Sequence, residues 1–155
     1  VILTTNEEYA KKIDEAVFPG EQGGAHFNNI AAKAVCFKIA QTERFKELQR
    51  KIVENAKALA SALQKLGLKL AYKGTNTHMV LVDLKGIKQE SSITLKGDIA
   101  VRILELCGIT ANKNAIHGDE SPMHPTGVRF GTTIVTQRGM NKKHMEKLAF
   151  HLLRP

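Results

Sequence analysis

Phe45, Leu48, Ile52, Ala56, Leu59, Leu63 and Leu66 recur at three- and four-residue steps, with Thr42 ahead of them and Gly67 directly after. That spacing puts all seven on one stripe of a single long helix, with a capping residue at its start and a glycine stop at its end. A helix with so continuous an apolar stripe is stable only when another layer covers it. The residues beyond Gly67 offer such a layer. Residues 68–73 and 78–84 read as strands joined by the turn chemistry of Gly74-Thr75-Asn76-Thr77. Residues 95–107 repeat the helical pattern through Leu95, Ile99, Ile103 and Leu106, and Gly108 ends it. Residues 109–113 and 128–132 predict two more short strands. Between them, residues 115–126 carry two prolines and no periodicity, and predict a loop. Asn141 is placed to cap a terminal helix running to about Leu153.

The first forty residues are of another kind. Residues 1–4 read as the end of a strand, and a helix follows from Thr5 or Asn6 to about Phe18. Phe18-Pro19-Gly20 and Gln22-Gly23-Gly24 force a loop, and an alanine-rich helix with Ile30, Ala34 and Phe37 on one face runs from about Ala25 to Gln41. These helices have no sheet of their own, as in a piece of a larger domain. The fold class expected is α/β, with the small domain built as helices on a sheet.

Composition narrows the function classes. A chain of 155 residues, 43% apolar and 25% charged, is globular and holds one ordinary domain, or a small one plus a remnant of another. With 5% aromatics and no tryptophan, the core must come from Ala, Leu, Ile and Val. No apolar run approaches the ~20 residues of a membrane span. The net charge of +8 suits a solvated basic surface. Without a basic tract or interleaved aromatics, a nucleic-acid partner is not expected. Cys36 and Cys107 have no ligand spacing and are expected as buried, reduced thiols in a cytoplasmic protein; no metal site is predicted, and the six histidines form no signature. His78 is expected as a hydrogen-bonded core histidine.

Three segments carry possible chemistry. Gln22-Gly23-Gly24 opens a helix, so bare backbone and a helix N-terminus could approach a phosphate; on composition alone a simple tight turn before a helix is the better explanation, since this is neither G-x-G-x-x-G nor a P-loop. Arg129 lies between Gly127 and Gly131 inside an apolar strand, where it needs a carboxylate or phosphate partner; its planar fork suits a ligand carboxylate, and an internal salt bridge to an Asp or Glu is the even alternative. Asn112-Lys113-Asn114 sits at a strand end beside the long loop, as a ligand contact or as turn-forming asparagines. Arg138-Gly139 reads as structural.

Taken in order, these segments resemble one family. Ala16-Val17-Phe18-Pro19-Gly20, Gln22-Gly23-Gly24, Ile30-Ala31-Ala32-Lys33-Ala34-Val35, Asn55-Ala56-Lys57-Ala58-Leu59-Ala60, Gly108-Ile109-Thr110 with Asn112-Lys113-Asn114, and Gly127-Val128-Arg129-Phe130-Gly131-Thr132 with Arg138-Gly139-Met140 are similar to serine hydroxymethyltransferases. The similarity also takes in Gly74-Thr75-Asn76-Thr77-His78 with Leu81-Val82-Asp83-Leu84, and so extends along essentially the whole chain.

The resemblance implies a pyridoxal-phosphate transferase of fold type I that interconverts serine and tetrahydrofolate with glycine and methylenetetrahydrofolate. Residues 1–40 would be the tail of its large cofactor-binding domain and residues 41–155 its small C-terminal α/β domain. It assigns Arg129 to the substrate carboxylate, Asn114 to the pterin of tetrahydrofolate, and Gly23 and Gly24 to the cofactor phosphate of a neighbouring subunit, hence at least a homodimer. Ala25, His117 and Thr126 depart from the family pattern. The lysine that anchors the cofactor as a Schiff base would lie ahead of Val1, so no catalytic residue and no turnover are expected of these 155 residues alone. Another enzyme of the same fold type, such as a threonine aldolase, and a non-catalytic basic module that binds RNA or another polyanion are the rival readings.

Overall fold

The computed structural model describes residues 2–87 and 95–153, in two compact units, residues 1–42 and 43–155. In the first unit α1 (Glu7–Glu15) begins at Asn6, whose side chain accepts from the Tyr9 amide at 3.0 Å, with Glu7 and Glu8 in the positive first turn. A kinked turn through Pro19 follows, and then α2 (Phe27–Ala40). Neither helix buries a single residue. Ile30, Ala34 and Phe37 share one face of α2 as expected, but that face is exposed, and so are Val35 and Ile39 away from it. Apolar side chains exposed on more than one side of a helix suit the inside of a larger body. Residues 2–4 form no strand, contrary to expectation, because within this unit no described strand offers a partner for pairing.

The second unit has its own core. Its backbone runs α3 (Glu43–Lys65), β1 (Lys69–Leu70), β2 (Met79–Asp83), a single 3-10 turn, α4 (Gly97–Leu106), β3 (Asn112–Asn114), β4 (Gly127–Gly131), α5 (Thr133–Gln137) and α6 (Lys142–Leu153). The strands form one antiparallel sheet in the order β1-β2-β4-β3. Successive residues of a strand point to opposite faces. Val80 and Val82 of β2 with Val128 and Phe130 of β4 therefore share the buried face. Against them pack Ala56, Leu59, Ala60 and Leu63 of α3, Ala100 of α4, and Met145 and Ala149 of α6.

The long helix is as the periodicity required, and Gly67 closes it with φ +91°, a conformation that suits glycine. Asn141 caps α6 by accepting from the amides of Lys143 at 3.1 Å and His144 at 3.4 Å. The first strand is only two residues long where six were expected. Both cysteines are exposed, which corrects the expectation of buried thiols: Cys36 rides on the uncovered α2, and Cys107 ends α4 on the solvent side. His78 is exposed too, and only its carbonyl is used, accepting from the Thr132 amide at 3.0 Å and the Thr132 hydroxyl at 3.2 Å.

A buried polar network ties α3 to the segment after β4. Asn55, 3% exposed, donates to the Thr136 hydroxyl at 2.9 Å and the Met140 carbonyl at 2.8 Å. Thr136 in turn donates to the Thr132 carbonyl at 2.6 Å, and the Thr132 hydroxyl reaches the Ile52 carbonyl at 2.9 Å. No buried side-chain polar atom among the described residues lacks a partner.

Candidate functional site

One face of the sheet packs on helices; the other carries the candidate site. Register places Leu81, Arg129 and Asn112 in one row across β2, β4 and β3, and Asp83, Gly127 and Asn114 in the next. Arg129 is therefore a side chain of the open face, half-buried on the central strand of a strand trio. Among the described residues its side chain makes no hydrogen bond and has no carboxylate within 4.0 Å. Asn114 is half-buried, and its side-chain amide donates to the carbonyl of Ala115 at 3.2 Å.

Both line one open cleft of about 690 Å³, together with Leu81, Met79 and residues 72–77 of the turn before β2. The turn is held by its own threonines. Thr75 Oγ1 accepts from the Thr77 amide at 3.0 Å, and Thr77 Oγ1 accepts from the Met79 amide at 3.2 Å. Lys73 stands in the left-handed region at φ +60°, where a non-glycine residue is strained. The cleft lining holds Lys73 and Arg129 and no carboxylate, so an anion is the ligand charge it favours.

The floor of this arrangement is set by close backbone approach. A Cβ on Gly127 would come within 2.5 Å of the Asn114 carbonyl oxygen and 2.6 Å of Ile116 Cγ2. Only glycine lets β3 and its following loop lie so near β4. The loop itself is organised by Asp119, a residue the sequence did not single out. Its side chain, 3% exposed, accepts from the amides of Ile116 and Thr126, each at 3.0 Å, and from the Thr126 hydroxyl. Lys85 Nζ lies 3.5 Å from its carboxylate and donates to the His117 carbonyl at 3.0 Å. Desolvation opposes ionisation here, but the Thr126 hydroxyl, the Thr126 and Ile116 amides and Lys85 outweigh it and hold the Asp119 carboxyl well below the usual carboxylate range. An aspartate in an aperiodic loop gives no sequence signal beyond turn chemistry.

Gly23 and Gly24 lie in the first unit and line a separate open cleft of about 560 Å³ with Glu21, Gln22, His26 and Lys33. A Cβ on either glycine would meet nothing within 4 Å, and neither has a positive φ. Nothing in the unit itself demands glycine there; the bare backbone is free for something outside it. His26 caps α2 through its carbonyl, which accepts from the Asn29 amide at 3.0 Å and the Ile30 amide at 3.1 Å, and without a side-chain hydrogen bond. The glycine backbone and Lys33 could face an anion here, with the Glu21 carboxylate in the same lining. Arg138 is exposed, and its side chain makes no hydrogen bond among the described residues; the left-handed Gly139 at φ +91° is what the turn requires. Among the described residues no group of His, Cys, Asp or Glu is placed to hold a metal ion, and no helix is long and apolar enough to cross a membrane.

Comparison with known proteins gives a consistent result. Residues 3–152 match the family model described as serine hydroxymethyltransferase. The chain is 49% identical over 150 residues to the serine hydroxymethyltransferase of Wolbachia pipientis subsp. Culex pipiens (strain wPip), which covers 96% of the chain and 34% of that protein. It is 48% identical over 150 residues to that of Endomicrobium trichonymphae, covering 96% of the chain and 35% of the relative. The chain thus spans about a third of the length of the curated relatives it matches.

Proposed function

The chain belongs to the serine hydroxymethyltransferase family, and on that premise we propose that the whole protein transfers a one-carbon unit between serine and tetrahydrofolate, with glycine and 5,10-methylenetetrahydrofolate as products. In this reading residues 1–40 belong to the large cofactor-binding domain and residues 41–155 form the small domain, in a cytoplasmic enzyme that is at least a homodimer. A match along residues 3–152 favours this over a free-standing basic module.

The observation that carries the reading is the guanidinium of Arg129, presented on an open sheet face in a cleft without carboxylates. Arg129 binds the α-carboxylate of serine or glycine through two parallel hydrogen bonds and so orients the amino acid. Asn114, on the same cleft, offers an amide donor and an acceptor to the edge of the pterin. Gly23 and Gly24 bring bare backbone to the phosphate of pyridoxal phosphate carried by the neighbouring subunit. When bound, that cofactor supplies the electron sink for bond breaking at the amino-acid α-carbon.

In the full-length protein, Arg129→Ala is expected to weaken glycine binding by ~30-fold to several-thousand-fold, the equivalent of losing about 2–5 kcal/mol from a desolvated charge pair. Arg129→Lys should restore little, because a point charge lacks the planar fork. Melting temperature and glycine affinity are measured on the same variants. Intact glycine affinity with a large loss of melting temperature would refute the carboxylate role.

A further inference from the structure

Asn114 ends β3 and Gly127 begins β4, and the two are register partners, so residues 115–126 leave and re-enter the sheet at one point. A loop of that length does not fix the direction in which Asn114 leaves the strand; something must close it. Asp119 does so from inside. Its carboxylate takes the Ile116 amide on the outgoing side, the Thr126 amide and hydroxyl on the returning side, and Lys85 from the turn after β2. The Thr126 carbonyl then accepts from the Leu84 amide at 3.0 Å, and the Pro125 carbonyl from the Gly97 amide at 2.8 Å, so the returning limb is anchored to β2 and α4.

We propose that Asp119 is a positioning residue for the folate side of the site: it clamps the loop so that Asn114 is held at a fixed place relative to Arg129 across the shared cleft. It rests on the folate reading of Asn114 given above. Asp119 is absent from the residues lining the cleft, and it acts through the two residues that do line it next to β3, Asn114 and Ala115. Arg129 stands outside its reach, because the central strand β4 is held on both sides by β2 and β3. Loss of the clamp is therefore expected to divide the two ligands.

The test compares Asp119→Asn and Asp119→Ala in the full-length protein, with glycine and tetrahydrofolate affinities titrated and hydrogen exchange followed across residues 112–126. Tetrahydrofolate affinity is expected to fall about 10- to 100-fold, as for misplacement of a contact group by about 1 Å. Glycine affinity is expected to stay within about threefold, and exchange to accelerate in that segment alone. Asparagine keeps the shape and one acceptor oxygen, so it should retain more affinity than alanine and keep the protein folded. Parallel loss of both ligands, or accelerated exchange with unchanged tetrahydrofolate affinity, overturns the proposal. A wild-type protein that binds glycine through Arg129 but takes no tetrahydrofolate sinks the folate reading and the proposal together. Undiminished folate binding in Asp119→Asn sinks the proposal alone.

Discussion

Single atoms decide much of the second unit. At Gly127 an added methyl group would overlap the Asn114 carbonyl and Ile116, neither of which is the free end of a flexible side chain. Gly127→Ala is expected to cost about 1–3 kcal/mol through forced displacement of β3, read as a drop in thermal melting temperature. A melting curve equal to wild type would mean that β3 yields more easily than its hydrogen bonds imply. Asn55 makes the complementary case. Its side-chain amide serves the buried Thr136 hydroxyl and the half-buried Met140 carbonyl, so Asn55→Leu removes both contacts and is expected to cost about 1–3 kcal/mol. Asn55→Asp should be worse, since a buried carboxylate would face that carbonyl. Denaturant titration of the two variants checks the ranking. The sequence marked both residues only as parts of family motifs. Their physical reasons, a backbone approach and a buried polar contact, involve residues far along the chain and cannot be read from local pattern. Arg129 was legible for the opposite reason: a charged fork among apolar neighbours is locally anomalous wherever it ends up.

Among the elements, periodicity served the helices and failed the short strands. The stripe of α3 spans about six turns and leaves no competing reading, whereas β1 is reduced to Lys69 and Leu70 because the chain turns just after Ala71, whose amide still donates to the Leu81 carbonyl at 2.9 Å. The helix α5 was missed altogether. Thr133-Ile134-Val135-Thr136-Gln137 is rich in β-branched residues that favour strands, and it is held helical by the Thr136–Asn55 contact instead. The β3–β4 loop carries its own pH prediction. Because the folded state holds the Asp119 carboxyl below its unfolded value, its contribution is complete above about pH 4, and it is lost as the pH falls further toward the folded value. The wild-type melting temperature should therefore decline more steeply between about pH 4 and pH 2 than that of Asp119→Asn. Parallel acid limbs for the two proteins would contradict this.

On the scale of the whole molecule, the two units should differ in protection. α1 and α2 bury nothing, with Phe27 79%, Val35 60% and Phe37 65% exposed, while Ile52, Leu59 and Leu63 of α3 are at most 2% exposed. In the 155-residue chain, amide exchange is expected to be fastest in α1 and α2 and slowest in the middle of α3; slower exchange in α2 than in α3 would overturn the assignment of the core. The pairing of α3 with α6 bears on how such a chain is made. A ribosome delivers Leu59 and Leu63 first, and then β2, α4 and β4, before Met145 and Ala149 exist to cover them. At ~5–20 residues per second that interval lasts on the order of seconds, far longer than a helix needs to form. During synthesis the part of the α3 stripe that α6 covers therefore stays bare until residues 142–153 emerge, even after the sheet has arrived to cover the rest.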